Sequence, residues 1–179
     1  MENPLVKFVP QLFGEYPKPF IKLIENIPLL PGQDSEKQAK TLWKAYEFGF
    51  RYHDGQKRLS GKPYFSHCLA VANTLASWKM DTTTVIAGLL HDTVEDTDAT
   101  IEQITENFGE DLAGLVDGLT KISEISYSSR KEKQAGNFMK MLLSVAQDMR
   151  VIIIKFADRL HNMETLRHMT QIKRHRVAI

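Results

Sequence analysis

Four ionisable side chains stand together directly after an apolar run in Ala87-Gly-Leu-Leu-His-Asp-Thr-Val-Glu-Asp-Thr97: His91, Asp92, Glu95 and Asp96. A helix continued through them sets Glu95 one turn beyond His91 and Asp96 one turn beyond Asp92, two i,i+4 pairs on neighbouring faces. Three of the four are carboxylates. Beside a core they repel one another and are penalised by desolvation, so the stretch calls for a nearby cation or open water. A divalent metal meets that need, and its other ligands must come from elsewhere in the chain.

Asp158 is the first candidate, because it lies among Phe156, Ala157 and Leu160 in an apolar helical stretch. Unpaired in a core, such a charge would cost roughly 3 to 5 kcal/mol. Arg159 and Lys155 are the partners at hand on the same helix, but adjacent helical residues point about 100° apart, which favours a partner from another helix. His67 is the second candidate, in the first turn of a predicted helix beside a loop, where it can reach the edge of the core. His67, His91, Asp92 and Asp158 make a mixed nitrogen and oxygen set without thiolates. Such a set suits manganese, iron or another octahedral-preferring ion better than a structural zinc. The loop Asp54-Gly-Gln-Lys-Arg-Leu-Ser-Gly-Lys-Pro63 groups Lys57, Arg58 and Lys62. It reads either as a solvated basic loop or as an anion or nucleotide clamp, with Arg58 able to stack on a base through its planar guanidinium.

The elements that must position these groups follow from periodicity and capping. Residues 1–33 are rich in proline, Pro4, Pro10, Pro17, Pro19 and Pro31 among them, and predict a short helix over about 19–27 in an N-terminal appendage. Asp34 and Ser35 are good N-caps for a helix to about Arg51, in which Ala39, Trp43, Tyr46, Phe50 and His53 form a core stripe. His53, at its end, is expected to pack or cap. A helix from Tyr64 to about Trp78 carries His67, and Asp81 and Thr82 cap the helix that leads into His91-Asp92. Thr100-Ile-Glu-Gln103 has capping-box spacing and opens a helix closed by Gly109. Leu112, Leu115, Val116 and Leu119 mark the inner face of a helix over about 110–122. A polar loop over 123–134 and a helix over 135–147 are expected next. Asp148 caps the last long helix, where Val151-Ile-Ile-Ile154 alone is ambiguous but Phe156, Leu160, Met163 and Leu166 continue at helical spacing. Asp158, His161, Asn162 and Thr165 share one face of it. With no strand alternation elsewhere, the fold class is all-α, a helical bundle.

A chain of 179 residues is long enough for one domain with a full core, and 42% hydrophobic with 25% charged residues is ordinary for a soluble protein. The balance of 23 basic and 22 acidic residues argues against bulk attraction to nucleic acid or an anionic membrane. The single cysteine, Cys68, excludes an internal disulfide and a Cys-rich zinc site, and reads as a small core residue in a reducing compartment. No signal pattern or bilayer-length apolar run is present, so the cytoplasm is the expected location.

His67, His91-Asp92 and Asp158 match in order and spacing the H…HD…D signature of the HD-domain metal-dependent phosphohydrolases. More specifically, His53–Tyr64, Leu90–Asp98, Val116-Asp-Gly-Leu-Thr-Lys121 and Ala157-Asp-Arg-Leu-His-Asn-Met163 resemble the hydrolase domain of the Rel/Spo (RelA/SpoT-type) alarmone synthetase and hydrolase family. The resemblance covers about residues 37–176. It implies an HD-domain bundle and a Mn2+-dependent enzyme of the stringent response that removes the 3′-pyrophosphate of ppGpp or pppGpp, giving GDP or GTP. It further implies His67, His91, Asp92 and Asp158 as metal ligands and Glu95 and Asp96 as the catalytic acidic pair. Arg58 and Ser60 match the loop that holds the guanine, and Asn162 and Thr165 match nucleotide contacts. The chain departs from the pattern at Cys68, where proline is usual, at Lys62, usually acidic, and at Leu59, commonly basic. Two other readings share parts of this pattern. Another HD-type nucleotide phosphohydrolase would share the ligands but not the Arg58 to Tyr64 loop or the Glu95-Asp96 pair, and a regulatory module would bind the alarmone without turnover. The expected organisation is an appendage over 1–33 and the hydrolase domain over 34–179, either as the N-terminal part of a longer protein with C-terminal synthetase and regulatory domains or as a free-standing small hydrolase.

Overall fold

The computed structural model describes residues 17–28, 34–123 and 148–166, and among these the fold is all-α, with eight helices and a single isolated bridge between Lys57 and Pro63. The expected helix over 135–147, the polar stretch 124–134 and the residues beyond 166 lie outside the described residues. No described helix is long and apolar enough to cross a membrane.

Helix α1 (Lys18–Asn26) starts with proline in its first turn and buries Phe20, Leu23 and Ile24. Phe20 meets Trp43 and Tyr46 edge-on, at centroid distances of 4.9 and 5.0 Å. Helix α2 (Ser35–Tyr52) is capped as its sequence requires, the Asp34 carboxylate accepting from the Glu36 and Lys37 amides. Its inward stripe differs from expectation at one position, because Phe50 is 51% exposed while Gly49 is buried. Gly49 lies so close to α3 (Phe65–Ser77) that a Cβ there would sit 2.6 Å from Phe65 Cε2. The missing side chain leaves room for the Phe65 ring and the Leu90 side chain, and Phe50 turns outward to stack on Tyr46.

Helices α3 and α4 (Thr82–Leu90) form the central pair, with Val71, Ala72, Leu75, Val85, Leu89 and Leu90 fully or almost fully buried. Asp81 caps α4 by accepting from the Thr84 amide. Gly88 faces α3 at closest approach, where an added Cβ would run into the Leu75 side chain. Gly88→Ala is expected to overpack this seam at a cost of about 1–3 kcal/mol. Urea unfolding measures it, and an unchanged midpoint would contradict the close packing.

The helix does not run unbroken through the acidic stretch. It ends at Leu90, His91 and Asp92 form a turn, and a short helix α5 (Thr93–Asp96) follows. The i,i+4 relation survives between Asp92 and Asp96, whose amide donates to the Asp92 carbonyl at 2.8 Å. Helix α6 (Ile101–Phe108) has the Thr100/Gln103 capping box and ends at Gly109, whose φ of 90° is open to glycine at little cost. Helix α7 (Glu110–Ser123) buries Leu112, Leu115, Val116 and Leu119 as predicted, and Ser123, expected in the polar loop, is still helical. Helix α8 (Met149–Glu164) is capped by Asp148 and tied to α7 by Arg150, which donates to Asp148 and Asp111. Its buried face is Val151, Ile154 and Ala157. The helix continues through Phe156, Leu160 and Met163 as their spacing predicted, but with all three side chains exposed. Ala157 lies three positions after Ile154, so the core-facing row passes between Phe156 and Asp158.

Candidate metal centre

Three parts of the chain deliver the sequence-predicted ligands to one place. His67 comes from the first turn of α3, His91 and Asp92 from the turn between α4 and α5, and Asp158 from α8. One ligating atom each from His67, His91 and Asp158 lies within 4.8 Å of the others. Asp92 completes the group, its carboxylate 3.0 Å from His91 Nε2 and 3.6 Å from His67 Nε2. Asp158 Oδ1 stands 3.1 Å from His67 Nε2 and 3.8 Å from His91 Nε2. Asp158 therefore finds its counterparts on other helices, as the cost of an unpaired charge demanded.

His91 is fully buried. Its Nδ1–H donates to the Gly88 carbonyl at 2.8 Å, while Nε2 has no hydrogen-bond partner. That orphaned nitrogen, aimed at two carboxylates, is what a cation would satisfy, so the donor set fits a divalent ion. Burial works against charge on His91, yet Asp92 and Asp158 outweigh it and push its pKa up to about 10. Asp92 behaves conversely: burial opposes ionisation, but His91 holds it at about 2. Asp158 is likewise held well below the usual carboxylate range, against burial, by the two histidines. His67 is lowered, with burial the largest cause and prevailing over the pull of Asp158. Cys68 lies against His91 and Asp92. Burial pushes its thiol far up, and Sγ sits 4.0 Å from His53 Nε2, so it is a packed neutral thiol beside the cluster. His53 is buried at the end of α2, its Nδ1 2.8 Å from Gln56 Oε1 and its ring stacked on Tyr64.

Glu95 and Asp96 are exposed on α5, three and four residues past Asp92. Tyr64, to which the sequence assigned no role, joins Asp96 to the cluster: its hydroxyl lies 2.9 Å from Asp92 Oδ2 and 2.6 Å from Asp96 Oδ2. Burial and the two carboxylates raise the Tyr64 pKa, so the phenol keeps its proton for donation.

A pocket of about 290 Å³ opens alongside, lined by Lys57, Arg58, Leu59, Ser60, Lys62, Tyr64, His161 and Thr165. Its loop is shaped by a tight turn in which the Arg58 amide donates to Lys62 O and Gly61 adopts a φ of 79°. Arg58, Ser60 and Thr165 line the pocket, and Asn162 adjoins it by accepting from Arg58 Nη2 at 2.6 Å while donating to Asp158 Oδ1 at 2.6 Å. The Thr165 hydroxyl donates to the His161 and Asn162 carbonyls. His161 was placed by spacing on the Asp158 face without a role. It touches both neighbours, its Nδ1 2.7 Å from His67 Nδ1 and 3.2 Å from Arg58 Nη1. Burial, then the charges of His67 and Arg58, lower its pKa to about 4, so it is neutral near pH 7.

An all-α bundle that gathers two histidines and two aspartates in this order defines the class: the chain belongs to the HD domain family, whose model matches residues 45–179. Within that family its homologues are SpoT/Rel proteins. It is 53% identical over 138 residues to a Myxococcus xanthus protein named GTP pyrophosphokinase, covering 75% of this chain and 18% of that protein. It is 47% identical over 143 residues to the bifunctional (p)ppGpp synthase/hydrolase SpoT of Escherichia coli K12, covering 80% of this chain and 20% of that one. The chain thus spans about a fifth of the length of these relatives. A solved structure described as a metazoan ortholog of SpoT that hydrolyzes ppGpp matches with a TM-score of 0.62 at 29% identity, covering 76% of this chain and 78% of that one.

Proposed function

We propose that this chain is a guanosine-3′,5′-bis(diphosphate) 3′-pyrophosphohydrolase that converts ppGpp and pppGpp to GDP or GTP and pyrophosphate with a resident Mn2+. The observation that carries this reading is the opening of the basic pocket around Arg58 directly beside the His67, His91, Asp92 and Asp158 cluster. The names of the relatives include both synthesis and hydrolysis. The metazoan protein favours hydrolysis for the shared segment, because it is matched over 78% of its own length.

In this reading His67, His91, Asp92 and Asp158 hold the metal, and the nitrogen and oxygen donors suit manganese. The bound ion supplies Lewis acidity toward phosphoryl oxygens and lowers the pKa of water. The chain's own residues do the rest. Arg58 is held at its edge by His161 and Asn162, which leaves its planar face to stack on the guanine. Ser60, Asn162 and Thr165 hold the nucleotide by hydrogen bonds, and Lys57 and Lys62 draw its phosphates to the pocket. Glu95 and Asp96, on α5, orient the attacking water and take its proton. The hydroxyl of Tyr64 keeps Asp96 in place against Asp92.

The assay is pyrophosphate release from ppGpp with Mn2+, compared with chelated protein and with dGTP as the control substrate. Release of GDP and pyrophosphate only with metal supports the proposal. Binding of ppGpp without turnover overturns it in favour of a regulatory module, and preferential dGTP hydrolysis overturns the assignment of the Arg58 loop.

A pH dependence follows from His91. Its proton is bound up to about pH 10 in the metal-free chain, and a metal must displace it from Nε2. Metal affinity therefore falls as pH falls and rises by about tenfold per pH unit between pH 7 and 8.5, with about one proton released per ion. Calorimetry of Mn2+ binding in buffers of different ionisation enthalpy measures this. An affinity flat over that interval would contradict the raised pKa of His91.

A further inference from the structure

The two imidazoles of the cluster are oriented by different devices. His91 is fixed within its own turn, by the Gly88 carbonyl three residues back. His67 has no such local acceptor on its Nδ1; it faces His161 Nδ1 from α8, 94 positions away in sequence.

Two nitrogens 2.7 Å apart must share one proton, and the neighbouring guanidinium decides which of them gives it. A guanidinium carries only donors, and Arg58 Nη1 points at the same His161 Nδ1 from 3.2 Å. A proton on His161 Nδ1 would face the Arg58 N–H with no acceptor between them. His161 Nδ1 is therefore a lone pair, receiving His67 Nδ1–H at the shorter distance and Arg58 at the longer. With its proton on Nδ1, neutral His67 has a lone pair at Nε2, the atom that faces Asp92 and Asp158.

We propose that His161 is a positioning residue of the metal centre: by accepting from His67 Nδ1–H it holds that imidazole in the form, and at the angle, in which Nε2 binds the cation. The inference rests on the reading of His67 as a ligand. Arg58 contributes from the nucleotide pocket by keeping a donor on His161 Nδ1, so the residue that meets the base and the residue that meets the metal are joined through one ring. Outer partners of ligating histidines ordinarily act in this way, fixing tautomer and raising basicity.

The test is direct titration of the metal-stripped chain with Mn2+. His161→Leu, which removes the acceptor and keeps apolar bulk, is expected to weaken binding about 10- to 100-fold. His161→Asn can place a carbonyl oxygen where Nδ1 stands, and is expected to restore affinity to within about threefold of the parent chain. Leu binding as tightly as the parent, or Asn binding as weakly as Leu, overturns the proposal, since a purely space-filling role would not distinguish the two. A second measurement needs no variant. In the chain labelled with 15N-histidine and loaded with diamagnetic Zn2+, scalar coupling across the N–H···N bond should join His67 Nδ1 to His161 Nδ1, with the proton on His67. Absence of that coupling, or a proton on His161 Nδ1, overturns the proposal while leaving the hydrolase reading intact. If the parent chain binds neither ion, the ligand assignment fails and this inference with it.

Discussion

Asp158→Ala is expected to abolish both metal binding and turnover. Asp158 is the carboxylate that α8 brings to the cluster, and its Oδ1 stands within 3.1 Å of His67 Nε2 and 3.8 Å of His91 Nε2. Without it the two imidazoles keep Asp92 as their only carboxylate in that group, and Asn162 loses the oxygen to which it donates. A metal ion supplies several kcal/mol of transition-state charge stabilisation. At tenfold per ~1.4 kcal/mol, its loss lowers the rate by at least about 10³-fold. Metal analysis after dialysis and pyrophosphate release from ppGpp are the measurements. Metal content near that of the parent chain would contradict the role of Asp158. Helical content should survive, because the position lies beside the core-facing row and alanine is a good helix former.

Glu95→Gln is expected to separate rate from metal. The residue lies on α5 and is exposed, four residues past His91 but outside the group of ligating atoms. Its amide analogue keeps size and hydrogen bonding but cannot take a proton. General acid and base groups contribute about 10² to 10⁴ in rate, and kcat should fall by that range. Mn2+ affinity should stay within about threefold, because the four ligands are untouched. Full activity in the glutamine variant would move proton transfer to Asp96 alone, and lost metal would make Glu95 a ligand. The pair of variants thus distinguishes holding the ion from using it.

The gathering of the candidate ligands was legible from the sequence because its chemistry is local and costly. A carboxylate among Phe156, Ala157 and Leu160 has to be answered by something, and helical geometry points the answer to another helix. The structure supplies His67 and His91. Capping was equally readable, since Asp34, Asp81, Thr100 and Asp148 each accept from an amide in the first turn. Hydrophobic periodicity served less well where a residue lacks a side chain. Gly49 gives no hydrophobic signal, yet it faces the core and displaces Phe50 from the stripe. On α8 the large apolar residues Phe156, Leu160 and Met163 marked the helix correctly but not its inner face, because the buried row runs through the smaller Ala157. The break at His91 and Asp92 was also hidden, because neither residue carries a strong helix-stop signal.

His161 and Tyr64 show a different limit. Spacing placed His161 on the face of Asp158, but spacing within one helix says nothing of a partner on α3. Tyr64 stands at the start of α3, where a tyrosine reads as packing; only the folded chain brings its hydroxyl to Asp92 and Asp96. Such roles arise from tertiary proximity and leave no periodic trace.

The break between α4 and α5 divides the candidate ligand cluster into two unequal halves. His91, its Gly88 carbonyl anchor and Asp92 span five consecutive residues, so this half forms whenever the end of α4 forms. The other half, His67 with Asp158, joins positions 91 apart and exists only when α8 has docked on α3. An unfolded chain offers a cation little beyond the His-Asp dipeptide, and the native chain offers four candidate ligands. A cation bound there would be a clasp on α8: each tenfold rise in its free concentration above Kd would strengthen the closed bundle by about 1.4 kcal/mol.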